Sequence, residues 1–381
     1  MPCRNLSRAR TLLLGSIGVA TLACAAPMTQ QGSVSRLDIQ NEALKQQQLV
    51  IESSIASNTR LQKIALPLLE AARPLCGDHV AGRTGIQFAS VAMYPKDWQT
   101  AARMAGLGDT VSVVAVTPGS AAERAGIRKG DLVMSAFEKP VPIGDRGLRE
   151  LSSRLTASFT ASPVSARHRA PDAPAFAMAA TSMPITVRRD TSTVTEVIPA
   201  DTVCNYQVQV VKDDAVNAFA DGQTVYITSA MMRFADDAEL STVISHELAH
   251  NVMKHMDAKK KNAMFAGIFG AVLDVAMATQ GVNTGGRYTN EMAALGAQTF
   301  SQDFEREADY VGMYILAWAH EDYAHAADLW RHMATESPGS IKFASTHPTS
   351  AERFVRLEHT VDEINAKKAA GTPLMPEMKH K

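Results

Sequence analysis

Two histidines one helical turn apart, with a glutamate beside the first, carry the densest chemistry in this chain: His246-Glu247-Leu248-Ala249-His250. On a helix, positions i and i+4 share a face, so the two imidazoles can converge on a zinc ion. A catalytic tetrahedral zinc takes three protein ligands and keeps its fourth position for water. Glu247 is then placed to act as general base on that water. The third ligand must come from another element, and TFSQDFEREADYVGMYILAWA offers Asp303, Glu305, Glu307 and Asp309. Glu305 and Asp309 are i,i+4 and share a face, whereas Glu307 points away from it on a regular helix and reads, with Asp303, as solvated surface. Glu305 is therefore assigned to the metal. Asp309 is assigned to the far ring nitrogen of a ligating histidine, where a carboxylate fixes the tautomer.

Both groups need helices to position them. DDAELSTVISHELAHNVMKHM begins with Asp236 and Asp237, suited to cap a first turn, and carries Leu240, Val243, Ile244, Leu248 and Val252 at helical spacing. In the second segment Phe304, Ala308, Val311 and Gly312 suggest a helix packed inside a domain.

With these motifs in order, the chain resembles the metallopeptidase family of HtpX, BepA, LoiP and the CAAX prenyl proteases, a gluzincin family. The matching features are HELAH, then Glu305-Arg306-Glu307-Ala308-Asp309, then Ser345-Thr346-His347-Pro348 with Arg353 five residues beyond the proline. Asn217-Ala218-Phe219-Ala220 and VYITSAMMRF, just before the histidine helix, match as well, so the resemblance covers about residues 200–360. It implies one zinc ion per chain on His246, His250 and Glu305, with Glu247 catalytic and Asp309 and Arg353 supporting the ligands. It also places His347 near the metal, to stabilise an oxyanion or to cap the zinc at rest. Asn217 and the strand Gln223–Thr228, with Tyr226, are expected to form either the sheet edge on which an extended peptide substrate lies or an ordinary strand of a small sheet.

The N-terminal residues set an expected address. Arg4, Arg8 and Arg10 precede the apolar run TLLLGSIGVATLAC, too short for a mature transmembrane helix but suited to an export signal over residues 1–25. Thr21-Leu22-Ala23-Cys24 resembles a lipobox that would lipidate Cys24, while Ala23-Cys24-Ala25 also fits ordinary signal cleavage. Either route leads to the periplasm, with membrane contact through a lipid anchor at the outer membrane in the first case. Cys76 and Cys204 remain after processing, and an even pair in an exported protein invites a disulfide, with free buried thiols as the alternative.

Between those cysteines, VSVVAVTPGSAAERAGIRKGDLVMSAF reads as strand, turn, short helix, turn and strand, and resembles a PDZ domain of the bacterial protease type. The module is expected over residues 81–199. It continues through a helix near Asp145–Leu155 and an Ala/Ser/Pro-rich surface loop over 156–184, and closes with the strand pair ITVRRDTSTVTEVIP. Such a module binds peptides by strand addition, and Thr84-Gly85-Ile86-Gln87-Phe88 is the candidate peptide-binding loop. It would select substrates or gate access to the metal, or contact envelope proteins.

The remaining organisation is a helical segment within residues 26–80, from Asn41 to about Leu75, packing on a catalytic domain of residues 200–381. The apolar stretch Ala263–Gln280, interrupted by Asp274, reads as a packed or lid-like helix. EDYAHAADLWRHMATE and TSAERFVRLEHTVDEINAKK read as two amphipathic helices, with Trp330 in the core. The expected fold class is α+β: a mainly helical zincin-type domain with a small sheet, plus an inserted PDZ-like, β-rich domain. A formal net charge of −1 and the lack of a basic tract or phosphate loop give no case for nucleic acid. These features point to a zinc metalloendopeptidase acting on envelope proteins. The competing expectation is a zinc-stabilised chaperone or adaptor that binds peptides with little hydrolysis.

Overall fold

The computed structural model describes residues 32–163, 176–262, 301–336 and 351–378, with isolated positions between 264 and 290. It divides into two compact units, Met1–Ala43 and Leu44–Lys381. In the first, the described part is a short lead-in and the opening turns of helix α1 (Arg36–Ala71). Ser35 starts this helix, its Oγ accepting from Asp38 N at 3.1 Å, so α1 begins five residues before Asn41.

In the second unit α1 serves two neighbours. Ile51 packs with Ala89, Val91, Ala101 and Val114, and a turn or more further on Leu61, Ile64 and Leu68 enter the main helical core. Pro67 lies inside its last turns, and after Ala71 the chain restarts as the short α2 (Arg73–Cys76) with a proline near its beginning.

The strand-rich region enters through β1 (Val80–Arg83) and proceeds through β2 (Ile86–Ala89), α3 (Gln99–Met104), β3 (Ser112–Val116), α4 (Ala121–Arg124), β4 (Leu132–Ala136) and β5 (Lys139–Pro140). It continues with α5 (Asp145–Phe159), β6 (Ser162–Pro163), β7 (Phe176–Ala177), β8 (Ser182–Arg189) and β9 (Ser192–Pro199), and leaves through β10 (Asp201–Cys204). The main sheet runs β2-β3-β4-β8-β9 with β5 beside β4, which leaves β2 at one edge. On β8, Met183, Ile185 and Val187 are buried in alternation and meet Leu151 and Phe159 of α5. The expected surface loop therefore starts later than Thr156: α5 continues to Phe159, whose ring is part of this core.

Entry and exit are tied together. β1 and β10 pair antiparallel with Val80 opposite Cys204, and the Cys76–Cys204 disulfide closes the same neck with Cα atoms 5.8 Å apart. The stretch VCNYQVQVV contributes to two strands: β10 stops at Cys204, where Asn205 N turns to His79 O, and β11 (Gln207–Val211) begins a different sheet.

That second sheet has β13 (Thr224–Thr228) in the middle, parallel to β11 on one side and antiparallel to β12 (Ala218–Ala220) on the other. Tyr226 thus lies on the central strand. The expectation that its strand forms a sheet edge is overturned, because both sides of β13 are already hydrogen-bonded; the edge strands are β11 and β12. Tyr226 stacks on Phe219 of β12 with ring centroids 4.9 Å apart.

Helices complete the unit: α6 (Ser229–Phe234), α7 (Asp237–Val252), a helical stretch 255–262, α8 (Ser301–Trp318), α9 (Ala326–Glu336) and α10 (Ala351–Ala370). Among the described residues no helix is long and apolar enough to cross a membrane. Within 263–280 only Met264, Ala271 and Asp274 are described, so the lid reading lies outside the described residues, as do His347 and the signal residues with Cys24.

Candidate metal centre

α7 starts with a reciprocal cap. Asp236 Oδ1 accepts from Glu239 N at 2.8 Å while Glu239 Oε2 accepts from Asp236 N at 3.0 Å. The first turn is held by Arg60 and Lys63 of α1, 2.7 and 3.2 Å from Asp237, and by His332 of α9, 2.8 Å from Glu239. Every residue from Leu240 to Val252 is buried, so the helix is enclosed on all sides rather than along one stripe. Its C-terminal end is fastened to the small sheet: Asn251 Oδ1 accepts from Gly222 N at 2.8 Å, and Asn251 O accepts from the Tyr206 hydroxyl.

α8 crosses α7 closely. A Cβ on Gly312 would lie 3.2 Å from His246 N and 3.3 Å from its Cα, so glycine is what lets the two backbones approach. This contact brings the Glu305–Asp309 face of α8 onto His246. His246 Nε2 is then 3.3 Å from His250 Nε2 and 3.3 Å from Glu305 Oε2, and His250 Nε2 is 3.5 Å from Glu305 Oε1. All three residues are buried.

These spacings fit a metal. A tetrahedral zinc with bonds of about 2.0–2.1 Å sets its ligand atoms about 3.3–3.4 Å apart. Two imidazoles and a carboxylate are also a donor set suited to zinc, and they are the one such cluster found among the described residues. Glu247 is buried next to His246 on the same helix.

The far side of His246 is supported by charge. Its Nδ1 lies 2.9 Å from Asp309 Oδ1, which also accepts from Arg353 NH2 at 2.6 Å. The Arg353 guanidinium lies 3.4 Å over the Trp330 ring, and Trp330 packs edge-on to His246 at 5.3 Å. Burial would raise the Asp309 carboxyl, but the neighbouring Arg353 and His246 hold it below the usual carboxylate range. Burial likewise pulls His246 down, yet Asp309 and Glu305 outweigh it and carry the metal-free imidazole up to about 9. His250 goes the other way: burial, reinforced by the charge on His246, lowers it to about 4 despite Glu305.

The structure thus brings together His246, Glu247, His250, Glu305, Asp309 and Arg353. Asn217 and Tyr226 are on the adjacent sheet, where Asn217 N donates to Thr228 Oγ1 at 3.1 Å and the Tyr226 hydroxyl donates to Asp221 at 3.2 Å. Gly85, Ile86, Gln87 and Phe88 belong to the strand-rich region and take no part in this cluster. Glu307 is exposed, as its helix face implies, yet it is also tied toward the centre: its Oε2 is 2.8 Å from His255 Nε2, and His255 Nδ1 is 2.9 Å from His250 Nδ1. Regular helical spacing hides this contact. Five residues past His250, an unbroken helix would turn about 140° away from it. Instead α7 ends at Val252 with Met253 as its cap, and Lys254 takes the left-handed conformation at φ 57°, returning His255 to the helix it has just left.

Residues 188–361 match the model of Peptidase family M48. The chain is 34% identical over 154 residues to the mitochondrial metalloendopeptidase OMA1 of Arabidopsis thaliana, covering 39% of this chain and 30% of that protein. It is 26% identical over 170 residues to the beta-barrel assembly-enhancing protease of Yersinia pestis, covering 42% and 35%. It is 30% identical over 191 residues to the protease HtpX homolog of Burkholderia multivorans, covering 40% and 66%. The chain spans 30%, 49% and 48% of the length of three mitochondrial OMA1 relatives, from Arabidopsis thaliana, Schizosaccharomyces pombe and Saccharomyces cerevisiae. Among solved structures, the HtrA3 PDZ domain bound to a phage-derived ligand aligns with 33% of this chain and 89% of that one, at 17% identity and a TM-score of 0.22.

Proposed function

Starting from a chain that carries a peptidase family M48 domain over residues 188–361, we propose a zinc-dependent endopeptidase that cleaves proteins of the bacterial envelope. The observation that carries this reading is the convergence of His246 Nε2, His250 Nε2 and the Glu305 carboxylate at 3.3–3.5 Å, with Glu247 buried beside them. A zinc ion held there would supply Lewis acidity to the scissile carbonyl and to the attacking water. Glu247 takes the proton from that water and returns it to the leaving amine. Asp309 and Arg353 hold the His246 ring in the tautomer that presents Nε2. His347 is assigned, by resemblance, to the oxyanion. β12, an edge strand next to α7, is the better surface for an extended substrate backbone than the Tyr226 strand.

The strand-rich region serves, in this reading, as a PDZ-type module that captures substrate segments. β2 is an edge strand, and a cleft of about 880 Å³ lies between it and α5, lined by Phe88, Met93, Leu148, Leu151 and Leu155. Ile86 and Phe88 pack against the sheet core, Phe88 also lining the cleft, while Gln87 accepts from Asn58 of α1 at 3.0 Å. Gly85 before it has φ 79°, and a Cβ there would collide with Ser120 at 2.2 Å. The disulfide fits an oxidising compartment, which supports export to the periplasm; a lipid on Cys24 would anchor the chain to the membrane.

The same cleft favours the rival reading, a peptide-binding adaptor whose zinc is structural. Glu247→Gln separates the two, since it leaves the metal-binding atoms in place. The endopeptidase reading expects about one zinc per chain to be retained, and hydrolysis of an unstructured protein such as casein to fall about 10²–10⁴-fold. Retained zinc with hydrolysis unchanged from the wild type overturns it.

A further inference from the structure

His255 is the least accounted-for polar group near the centre. Its ring is 1% exposed, stacks on Phe304 with centroids 4.7 Å apart, and engages a neighbour through each nitrogen, His250 Nδ1 at 2.9 Å and Glu307 Oε2 at 2.8 Å. No ligand role is open to it, because the nitrogen nearest the centre is already spent on His250.

The proton positions in this chain follow from one requirement. His250 points Nε2 at His246 and Glu305, so that nitrogen must keep its lone pair for a metal and the ring hydrogen must sit on Nδ1. His250 Nδ1–H then donates to His255 Nδ1, which must accept. His255 in turn carries its hydrogen on Nε2 and donates it to the Glu307 carboxylate. Every donor meets an acceptor in one direction only, from the ligand outward to the carboxylate.

We propose that His255, oriented by Glu307 and by the Phe304 ring, is the positioning residue that fixes the tautomer and ring plane of His250. His246 and His250 would then be held by different devices: the first by Asp309 directly, with Arg353 behind it, the second by an imidazole that passes the contact on to a carboxylate at the protein surface. The Glu307 side chain is 46% exposed, against 10% for Asp309. The left-handed Lys254 is what makes this possible, since it returns the chain to His250. The proposal rests on His246, His250 and Glu305 being metal ligands.

The test is zinc affinity of the full-length chain, measured by competition with a chromogenic chelator, together with the absorption spectrum of the Co²⁺-substituted protein. His255→Phe keeps a ring against Phe304 and removes the acceptor; it is expected to weaken zinc about 10–100-fold and to alter the Co²⁺ ligand-field bands. Glu307→Ala, at a half-exposed position that leaves the core packing alone, is expected to weaken zinc in the same direction by a smaller factor. The double variant is expected to bind no worse than His255→Phe, because Glu307 acts only through His255. Thermal unfolding of the metal-free variants shows whether His255→Phe still folds; if it does not, Glu307→Ala decides. Should the wild-type chain bind no zinc, or His250→Ala bind it as well as wild type, the metal reading falls and this proposal with it. If those two controls behave as expected but His255→Phe, or in its place Glu307→Ala, binds within about twofold of wild type with an unchanged Co²⁺ spectrum, only the positioning role is overturned. Full additivity in the double variant also overturns it.

Discussion

The helical half around α7 and the strand-rich region between Val80 and Cys204 treat polar groups in opposite ways. α7 is buried from Leu240 to Val252 with its histidines and Glu247 included, and partners from α8 and α10 fix His246 at 2.9 Å or less through Asp309 and Arg353. The strand-rich region buries mainly apolar side chains, with Asp131 as its one fully buried carboxylate among the described residues. It also leaves the β2 edge beside an apolar cleft. A centre that must keep three donor atoms at metal spacing calls for crossed helices and charge pairs. A surface that takes up varied chains works through backbone and apolar contact, which tolerate sequence change.

The largest effect should come from removing a charge where the helical half depends on it. Asp309→Asn removes the carboxylate that lies 2.6 Å from Arg353 and 2.9 Å from His246 Nδ1. Zinc affinity is expected to fall about 10–100-fold, and the fold to lose about 3–5 kcal/mol from the broken buried pair. Chelator competition and thermal unfolding measure the two separately. Loss of zinc with no loss of stability would show that Arg353 finds another partner and that the contrast between the regions is overstated.

The neck comes next. Cys76→Ser removes a bridge spanning 128 residues of sequence, and is expected to cost about 2–5 kcal/mol of stability. Because Cys76 and Cys204 belong to the same core cluster as α7, hydrogen exchange should rise first in β1, β10 and the helical half, with β8 and β9 following. The reverse order would place the neck energetically with the strands.

A smaller effect attaches to the one buried carboxylate of the strand-rich region. Asp131 receives Arg189 at 2.8 and 2.7 Å and Arg128 N at 2.9 Å, tying the turn after α4 to β8. Burial raises this carboxyl, but Arg189 and the backbone donor outweigh it and hold it below its ordinary range. A depressed folded-state value means that the stabilisation is present above the unfolded value, near pH 4, and is lost as pH falls through the folded value. Asp131→Asn should therefore cost about 2–3 kcal/mol at neutral pH and flatten the acid limb of the stability curve, read by circular dichroism across pH. An unchanged acid limb would put the acid sensitivity elsewhere, in carboxylates such as Asp309.

The two regions also differed in how much their sequence disclosed. Glu305 and Asp309 could be paired because i,i+4 spacing is a local property of a regular helix, and the α7 cap could be read from Asp236 and its neighbours for the same reason. His255 and Glu307 could not, because their meeting depends on Lys254 leaving helical geometry and on two helices crossing at Gly312. Tyr226 failed as an edge residue because strand order is non-local: β11 arrives parallel to β13 from one side, and no periodicity within the strand reveals that. The strands of the inserted region were legible one by one from alternation and turns, whereas the end of α5 was not, since Phe159 is held in helix by the core it enters rather than by anything in the Ala/Ser stretch around it.

The smallest expected effect bears most directly on the division of labour. Leu148 is a half-buried position of α5 facing the cleft beside β2, so Leu148→Asp places a charge in the cleft without opening the core. Capture through this cleft predicts that KM for an unfolded protein substrate rises several-fold, about 1 kcal/mol, while kcat and KM for a peptide too short to reach from the cleft to the metal stay at their wild-type values. The short peptide isolates the helical half, because in the proposed reading it would meet only the β12 edge and the metal-binding side chains. If both substrates lose activity equally, the cleft residue is acting on the catalytic geometry through α1, which contacts Gln87 on one side and Asp237 at the start of α7 on the other. The two regions would then be one mechanical unit rather than a capture surface and a reaction centre.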